Sequence, residues 1–208
     1  MPKHTHTMIF LHDFTRENPN DMKYFTDKID NILPENVIMK YVYPKAPTRC
    51  ITCYNGEPYT AWYDYLTENI TEIEKVNQKH IIAQRKRIHI MIENERELNG
   101  KYNRIFICGY SQGCCMALDT GLTFPKRLGG IIGFKGHIPK MYDNIYNQHV
   151  WVAHGRYDDT IDFNVAKTSY ENYPNNDITF IKQQCDHEME TGIEYQMKML
   201  KLWMKNMY

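Results

Sequence analysis

The stretch "RIFICGYSQGCCMALDTGLTF", residues 104–124, decides how the rest of the chain is read. An apolar run from Ile105 to Cys108 drives into Gly109-Tyr110-Ser111-Gln112-Gly113, and a helix-like pattern follows at once. A strand that enters a helix through so tight a turn lifts the central side chain into a strained, exposed position above the sheet edge. Glycine stands on each side of it because a larger side chain there would meet neighbouring backbone. The hydroxyl of Ser111 is thereby freed. The next backbone N–H, that of Gln112, points into the same space at a helix N-terminus, where orphan donors collect.

Outward from this corner, short apolar runs recur at Thr7–Leu11, Val37–Val42, Arg104–Cys108, Gly129–Phe134, His149–Ala153 and Ile178–Ile181. Helix-like stretches lie between several of them. From Val76 to Leu98, Ile81, Ile88 and Ile92 fall at helical spacing, and Arg85-Lys86-Arg87 reads as part of a solvated helix face. Near the C-terminus Ile193, Met197, Leu200 and Met204 repeat the pattern. Strands alternating with helices predict an α/β fold in one domain, residues 1–208, with a mostly parallel sheet covered on both faces. A chain of 208 residues leaves no room for a large inserted cap. Pro44 to Tyr59, with Pro44, Pro47, Pro58 and Gly56 and little apolar periodicity, reads as a long loop over the site.

Composition narrows the function classes. Lys plus Arg (25) balances Asp plus Glu (25), so no net field steers the protein to nucleic acid or an anionic membrane. No apolar run approaches the roughly 20 residues that span a bilayer. "MPKHTHTMIFLHDF" lacks the long apolar segment of a signal peptide, and a cytoplasmic protein is expected. The six cysteines then read as reduced thiols. Cys50-Ile-Thr-Cys53 has redox or zinc spacing, but no second Cys/His pair completes a four-ligand set, so neither a metal nor another cofactor is expected. The sequon Asn69-Ile-Thr71 would matter only in a secreted chain.

A serine hydroxyl is a weak nucleophile and needs a base, which needs an orienting acid. Strand, tight G-x-S-x-G turn and helix together make the nucleophile elbow of an α/β-hydrolase, in which acid and then histidine follow the serine along the chain. "HVWVAHGRYDD" is a strand-like run that ends at His154-Gly155 and reaches Asp158 and Asp159. "ITFIKQQCDHEM" is another, followed by His187 at the start of the last helix. Both lie beyond the C-terminal ends of strands, where parallel sheets place their ligands. Among the other histidines, His154 is read as shaping the turn, and His4 and His6 as facing solvent. The second oxyanion donor belongs to the loop after an early strand. Here that is "FLHDFT", with the N–H of Phe14 beside that of Gln112.

Several segments together resemble the phospholipase/carboxylesterase family of α/β-hydrolases, the small carboxylesterases, acyl-protein thioesterases and lysophospholipases. "YPKAPTRCITCYNGEPYTAWYDY" is similar to its proline-bearing loop and Trp-aromatic-Asp signature, and "GYSQGCCMALDTGL" to its elbow and helix. "RLGGIIGFKGHIP", "AHGRYDDTID" and "CDHEM" resemble its next strand, its His-Gly-x-x-Asp acid loop and its His-Glu segment. The resemblance implies Ser111 as nucleophile, Asp158 rather than Asp159 as acid, and His187 as base. It also implies N–H donors from Phe14 and Gln112, an acyl-site wall at Trp62 and a structural acceptor at Asp64. The implied substrates are small esters, acylated proteins or lysolipids.

Two residues depart from the family's pattern. Asp13 stands where glycine usually follows the histidine, and its carboxylate would oppose a developing oxyanion unless turned away. An outward carboxylate bonded within its loop is the expected arrangement. Cys114 stands where glycine usually follows Ser-Gln-Gly, tolerable where the surrounding packing is loose. Asp13 also raises the alternative of a catalytically weak or inactive hydrolase-fold binding protein.

Overall fold

The computed structural model describes residues 4–69, 72, 75–139, 145–173 and 177–207; Thr71 of the sequon lies outside them. In β1 (His6–Leu11), Ile9 and Leu11 enter one apolar cluster while Met8 and Phe10 enter another, as a strand's two-residue period requires. After β1 come α1 (Lys23–Asp30) and β2 (Met39–Val42). A small hairpin follows, β3 (Thr48–Cys50) and β4 (Pro58–Thr60), and then the long α2 (Gln78–Asn99). The elbow pair is β5 (Ile105–Tyr110) and α3 (Gln112–Leu122). The chain closes with β6 (Gly130–Phe134), β7 (Val150–Gly155), α4 (Phe163–Glu171), β8 (Ile178–Gln183) and α5 (Ile193–Met204).

All six apolar runs picked out in the sequence join one sheet, ordered β2-β1-β5-β6-β7-β8, with every pairing parallel. Buried residues of α2, α3 and α4 share a cluster with Ile107, Ile131 and Val152; α1 and α5 share the opposite one with Phe106, Ile132 and Trp151. Helices therefore cover both faces. The chain runs from β1 outward to β2 and then returns across β1 to β5. The order thus reverses between β1 and β5, the switch point beyond whose C-terminal strand ends parallel sheets place their ligands.

Local chemistry sets the helix bounds. The periodic stretch begins at Val76, yet α2 starts at Gln78, because Val76 is taken up in an antiparallel bridge with Tyr65 and Asn77 caps the helix by accepting from the His80 N–H. Ile81, Ile88 and Ile92 are fully buried, each contributing about 1.5–3 kcal/mol. The basic triplet is not simply a solvated face. Arg85 reaches into α3 and makes two 2.8 Å bonds to the fully buried carboxylate of Asp119, bracing the elbow helix. Arg87 donates to the Lys45 carbonyl, leaving Lys86 in solvent.

Pro44 to Tyr59 also differs from the expected structureless loop. It builds β3, a single short turn at Thr52–Tyr54 and β4, reversing through Asn55 and Gly56 at left-handed φ values of 55° and 78°. Strand pairing satisfies its backbone where helical or sheet periodicity was not visible. His4 and His6, expected in solvent, are half-buried, with His6 opening β1. All six cysteines carry free thiols. Among the described residues, no helix is long and apolar enough to cross a membrane.

Candidate active site

Ser111 sits between β5 and α3 at φ 54° and ψ −121°, a region costly for any residue but glycine. The strain is where the sequence places it; the exposure is not, since the residue is only 8% exposed. A Cβ on Gly109 would run into the Gly113 carbonyl, and one on Gly113 into the carbonyls of Leu11 and His12. The two glycines thus let α3 start directly against the end of β1. Ser111 N–H donates to Phe134 O (2.9 Å), tying the turn to β6.

Cys114 is fully buried, so loose packing is not what admits it. Its thiol lies where side chains on Gly133 and Gly136 would be, and those glycines vacate the volume it fills.

His187 Nε2 lies 2.9 Å from Ser111 Oγ, and Nδ1 lies 2.8 and 3.0 Å from the carboxylate oxygens of Asp158. An ionised carboxylate only accepts, so the proton belongs on Nδ1 and the Nε2 lone pair faces the serine hydroxyl. Asp158 Oδ1 also accepts from the N–H groups of Thr160 (3.1 Å) and Ile161 (2.7 Å). Burial pushes the Asp158 pKa up, but the hydrogen bond and charge of His187, with help from Ile161 and His154, outweigh this and hold it below the ordinary carboxylate value. Asp159 stays exposed and Asp162 caps α4 through the N–H groups of Asn164 and Val165. His154 is fully buried, 2.8 Å from the Ile161 carbonyl and 3.2 Å from Asp158, and burial lowers its pKa. His187 stands in the loop before α5, which begins only at Ile193, rather than at a helix start.

The loop after β1 faces the elbow. The N–H of Ala46 donates to His12 Nε2 (2.9 Å), so Nδ1 carries the proton and bonds to Asp13 O (2.7 Å). Burial lowers the His12 pKa, in keeping with a neutral ring. The unusual backbone conformation falls on Thr15, at φ 68°, and not on Asp13. Thr15 N–H donates to Thr60 O (2.9 Å), and the Phe14 ring packs against Tyr54, Tyr59 and Tyr65. Asp13 turns to Arg16, which donates from Nε (2.9 Å) and Nη2 (3.0 Å) to its two oxygens. The carboxylate is bonded within its loop, to a side chain rather than to a backbone N–H.

Trp62 is fully buried, its indole donating to His12 O (2.7 Å) and its N–H to the Gln112 side-chain oxygen (2.8 Å). Gln112 Nε2 donates to Tyr63 O (2.9 Å). The elbow glutamine and Trp62 therefore bind the hairpin, the β1 loop and α3 together. Asp64 accepts from Thr52 N–H (2.7 Å) and Oγ1 (2.8 Å), the structural part that the resemblance implies.

The profile of the phospholipase/carboxylesterase family matches residues 1–204. The chain belongs to that family of ester hydrolases. Among its relatives, acyl-protein thioesterase 1 of Yarrowia lipolytica is 32% identical over 178 residues, 80% of this chain and 75% of that one. Acyl-protein thioesterase 1 of Schizosaccharomyces pombe is 33% identical over 136 residues, 65% of this chain and 58% of that one, so the match spans little more than half the length of this relative. The crystal structure of Arabidopsis thaliana SOBER1 superposes with a TM-score of 0.81 over 97% of this chain and 98% of that one, at 20% identity, a likeness of fold.

Three residues bonded to the loops around Ser111 and His187 carry no clear sequence signal: His12; Tyr110, whose hydroxyl donates to the His187 carbonyl (2.5 Å); and Lys135, whose ammonium donates to the carbonyls of Glu188 and Thr191. His12 was legible only as the neighbour of Asp13. Lys135 had one signal, a lysine at the end of the apolar run "GGIIGF".

Proposed function

We propose that the chain is a serine hydrolase that cleaves carboxylic esters or thioesters through an acyl-enzyme on Ser111. The observation that carries this reading is the continuous set of bonds from Asp158 through His187 to Ser111, built on a strained elbow. Ser111 Oγ attacks the carbonyl carbon while its proton passes to His187 Nε2, and Asp158 holds the imidazole and balances the charge it gains. His187 then returns the proton to the leaving alcohol or thiol. Water repeats the sequence to release the acid.

The Gln112 N–H, first in α3, and the Phe14 N–H are the proposed oxyanion donors. Such a donor is worth about 10²–10³ in rate. Thr15 N–H is committed to Thr60 O, which removes one competing donor of this loop and supports Phe14. Trp62, buried as it is, acts in this reading by holding His12 O and so the oxyanion loop. Small esters, acylated proteins and lysolipids share the carbonyl that this site reads, and the cytoplasm is the proposed place of action. The reading of an inactive binding protein draws on the charge of Asp13, and the pairing of that carboxylate with Arg16 favours the catalytic reading over it.

A fluorophosphonate probe tests the proposal. The wild type is expected to label on Ser111 and to hydrolyse p-nitrophenyl esters. Ser111→Ala is expected to keep its fold and lose label, with hydrolysis at or below about a thousandth of the wild-type rate. A variant well above that level removes Ser111 as the nucleophile.

A further inference from the structure

Among the described residues Lys135 is the one lysine or arginine that is buried, at 1% exposure. It directly follows β6 at a left-handed φ of 53°, and its N–H donates to Ala153 O (2.8 Å), prolonging the pairing with β7. Its ammonium turns toward the segment between His187 and α5. There it donates to the carbonyl of Glu188, to the carbonyl of Thr191 (3.1 Å) and to Thr191 Oγ1 (3.0 Å). From the end of the neighbouring strand β5, the hydroxyl of Tyr110 donates to the carbonyl of His187 itself (2.5 Å). We propose that Lys135 and Tyr110 are positioning residues, a two-point clamp that holds the His187 loop by its backbone carbonyls and so sets the distance from His187 Nε2 to Ser111.

The inference rests on reading His187 as the general base, and its physical basis is the disproportion between cost and use. A buried ammonium loses its hydration, and a left-handed lysine backbone is strained; neither is needed to fill space, which an apolar side chain would do. What only a lysine end-group supplies is three donors at one point. Burial lowers the Lys135 pKa, against the pull of Cys185, Asp186 and Glu188 in the loop and of Asp158 opposite. The loop adds its own closure, with Asp186 Oδ1 accepting from Thr191 Oγ1 (2.5 Å) and Glu188 N–H (3.0 Å). Among the described residues, and apart from His187's own bonds to Asp158 and Ser111, these two side chains supply the hydrogen bonds that join residues 186–192 to the strand ends of β5 and β6, while Gln183 Nε2 donates to Gly192 O (2.9 Å) from the end of β8. A displacement of about 1 Å at a reacting group can cost about 10²-fold in rate, which makes such a clamp consequential.

Lys135→Met keeps chain length and removes the donors; Tyr110→Phe keeps the ring and removes the hydroxyl. Lys135→Met is expected to lower kcat on a short-chain p-nitrophenyl ester about 10- to 100-fold with KM changed less than about twofold. Amide exchange is expected to rise over residues 184–192 and not over α3. Tyr110→Phe is expected to show the same pattern in smaller measure, and it carries the test if Lys135→Met does not fold. Unchanged kcat and unchanged exchange in the folded variants would overturn the clamp, as would exchange rising evenly across the chain. Were the wild type to show no hydrolysis, the exchange pattern would still decide the clamp, and the assigned activity alone would fall.

Discussion

The serine and the histidine of this site are held in opposite ways. Ser111 is fixed by backbone: a Cβ on Gly109 would meet the first turn of α3, and one on Gly113 the carbonyls at the end of β1, so the turn exists only because both positions are glycine. His187 is fixed by side chains. Its loop has no regular structure, and Asp158, Tyr110 and Lys135 reach it from the ends of three different strands. A backbone-built corner has no room for substitution at its glycines, and its distant partners, the carbonyls of Leu11, His12 and Phe134, are main-chain atoms that no side-chain change removes. A side-chain-built loop depends on residues far away in sequence, and it can be weakened by degrees.

The corner is the place to look for an abrupt effect. Gly113→Ala puts a Cβ against the carbonyls of Leu11 and His12, atoms that cannot rotate out of the way. A destabilisation of about 3 kcal/mol is expected, read as a lower urea midpoint with an unchanged slope, and activity falls with it. A well-folded, active Gly113→Ala protein would show that the backbone can shift, and would erase the contrast between the two regions.

The same contrast explains what was legible. The elbow, the six strands and the bonded set of Ser111, Asp158 and His187 were readable because each leaves a local signature: glycines at fixed spacing, apolar runs, and a histidine or aspartate just past a strand. The hairpin at Pro44–Tyr59 was not, since three-residue strands carry too few alternations to show a period. Arg85 was read as solvated because the fully buried Asp119 that binds it lies on another helix. The clamp on His187 was invisible for the same reason, as a donor and a carbonyl paired by the fold leave no spacing in the sequence.

The loop after β1, the proposed source of an oxyanion donor, lies between the two extremes, and Asp13 tests how it is held. The carboxylate accepts two bonds from Arg16, with both side chains partly exposed, so the pair is worth no more than about 1 kcal/mol. Asp13→Asn and Asp13→Gly are both expected to lower kcat about two- to fivefold, by freeing Arg16 and loosening the donor at Phe14. A rise in kcat for both would mean that the charge opposes the oxyanion despite Arg16, and that this loop is a hindrance rather than a support.

The smallest effect expected is on stability against pH, and it sets the loop after β1 beside the acid loop after β7 because each has a buried imidazole next to it. His12 accepts the Ala46 N–H through Nε2, so protonation would destroy that bond. His154 is sealed beneath the acid loop. Burial lowers both pKa values. As pH falls below the ordinary imidazole value of about 6.5, the unfolded chain takes up these protons while the folded chain resists them. The stability they contribute, complete above that value, is therefore lost on acidification. Asp158 behaves differently: its folded pKa is held below the ordinary carboxylate value, so its contribution persists down to about pH 4 and is lost only below that. Urea midpoints for the wild type and for His12→Gln and His154→Gln, taken at pH 7.5 and 5.5, separate the terms. The advantage of the wild type over each variant is expected to shrink between those two pH values. An advantage that stays constant for one of them would show that this histidine takes up its proton equally in the folded and unfolded chain, and that its side of the site is open to water.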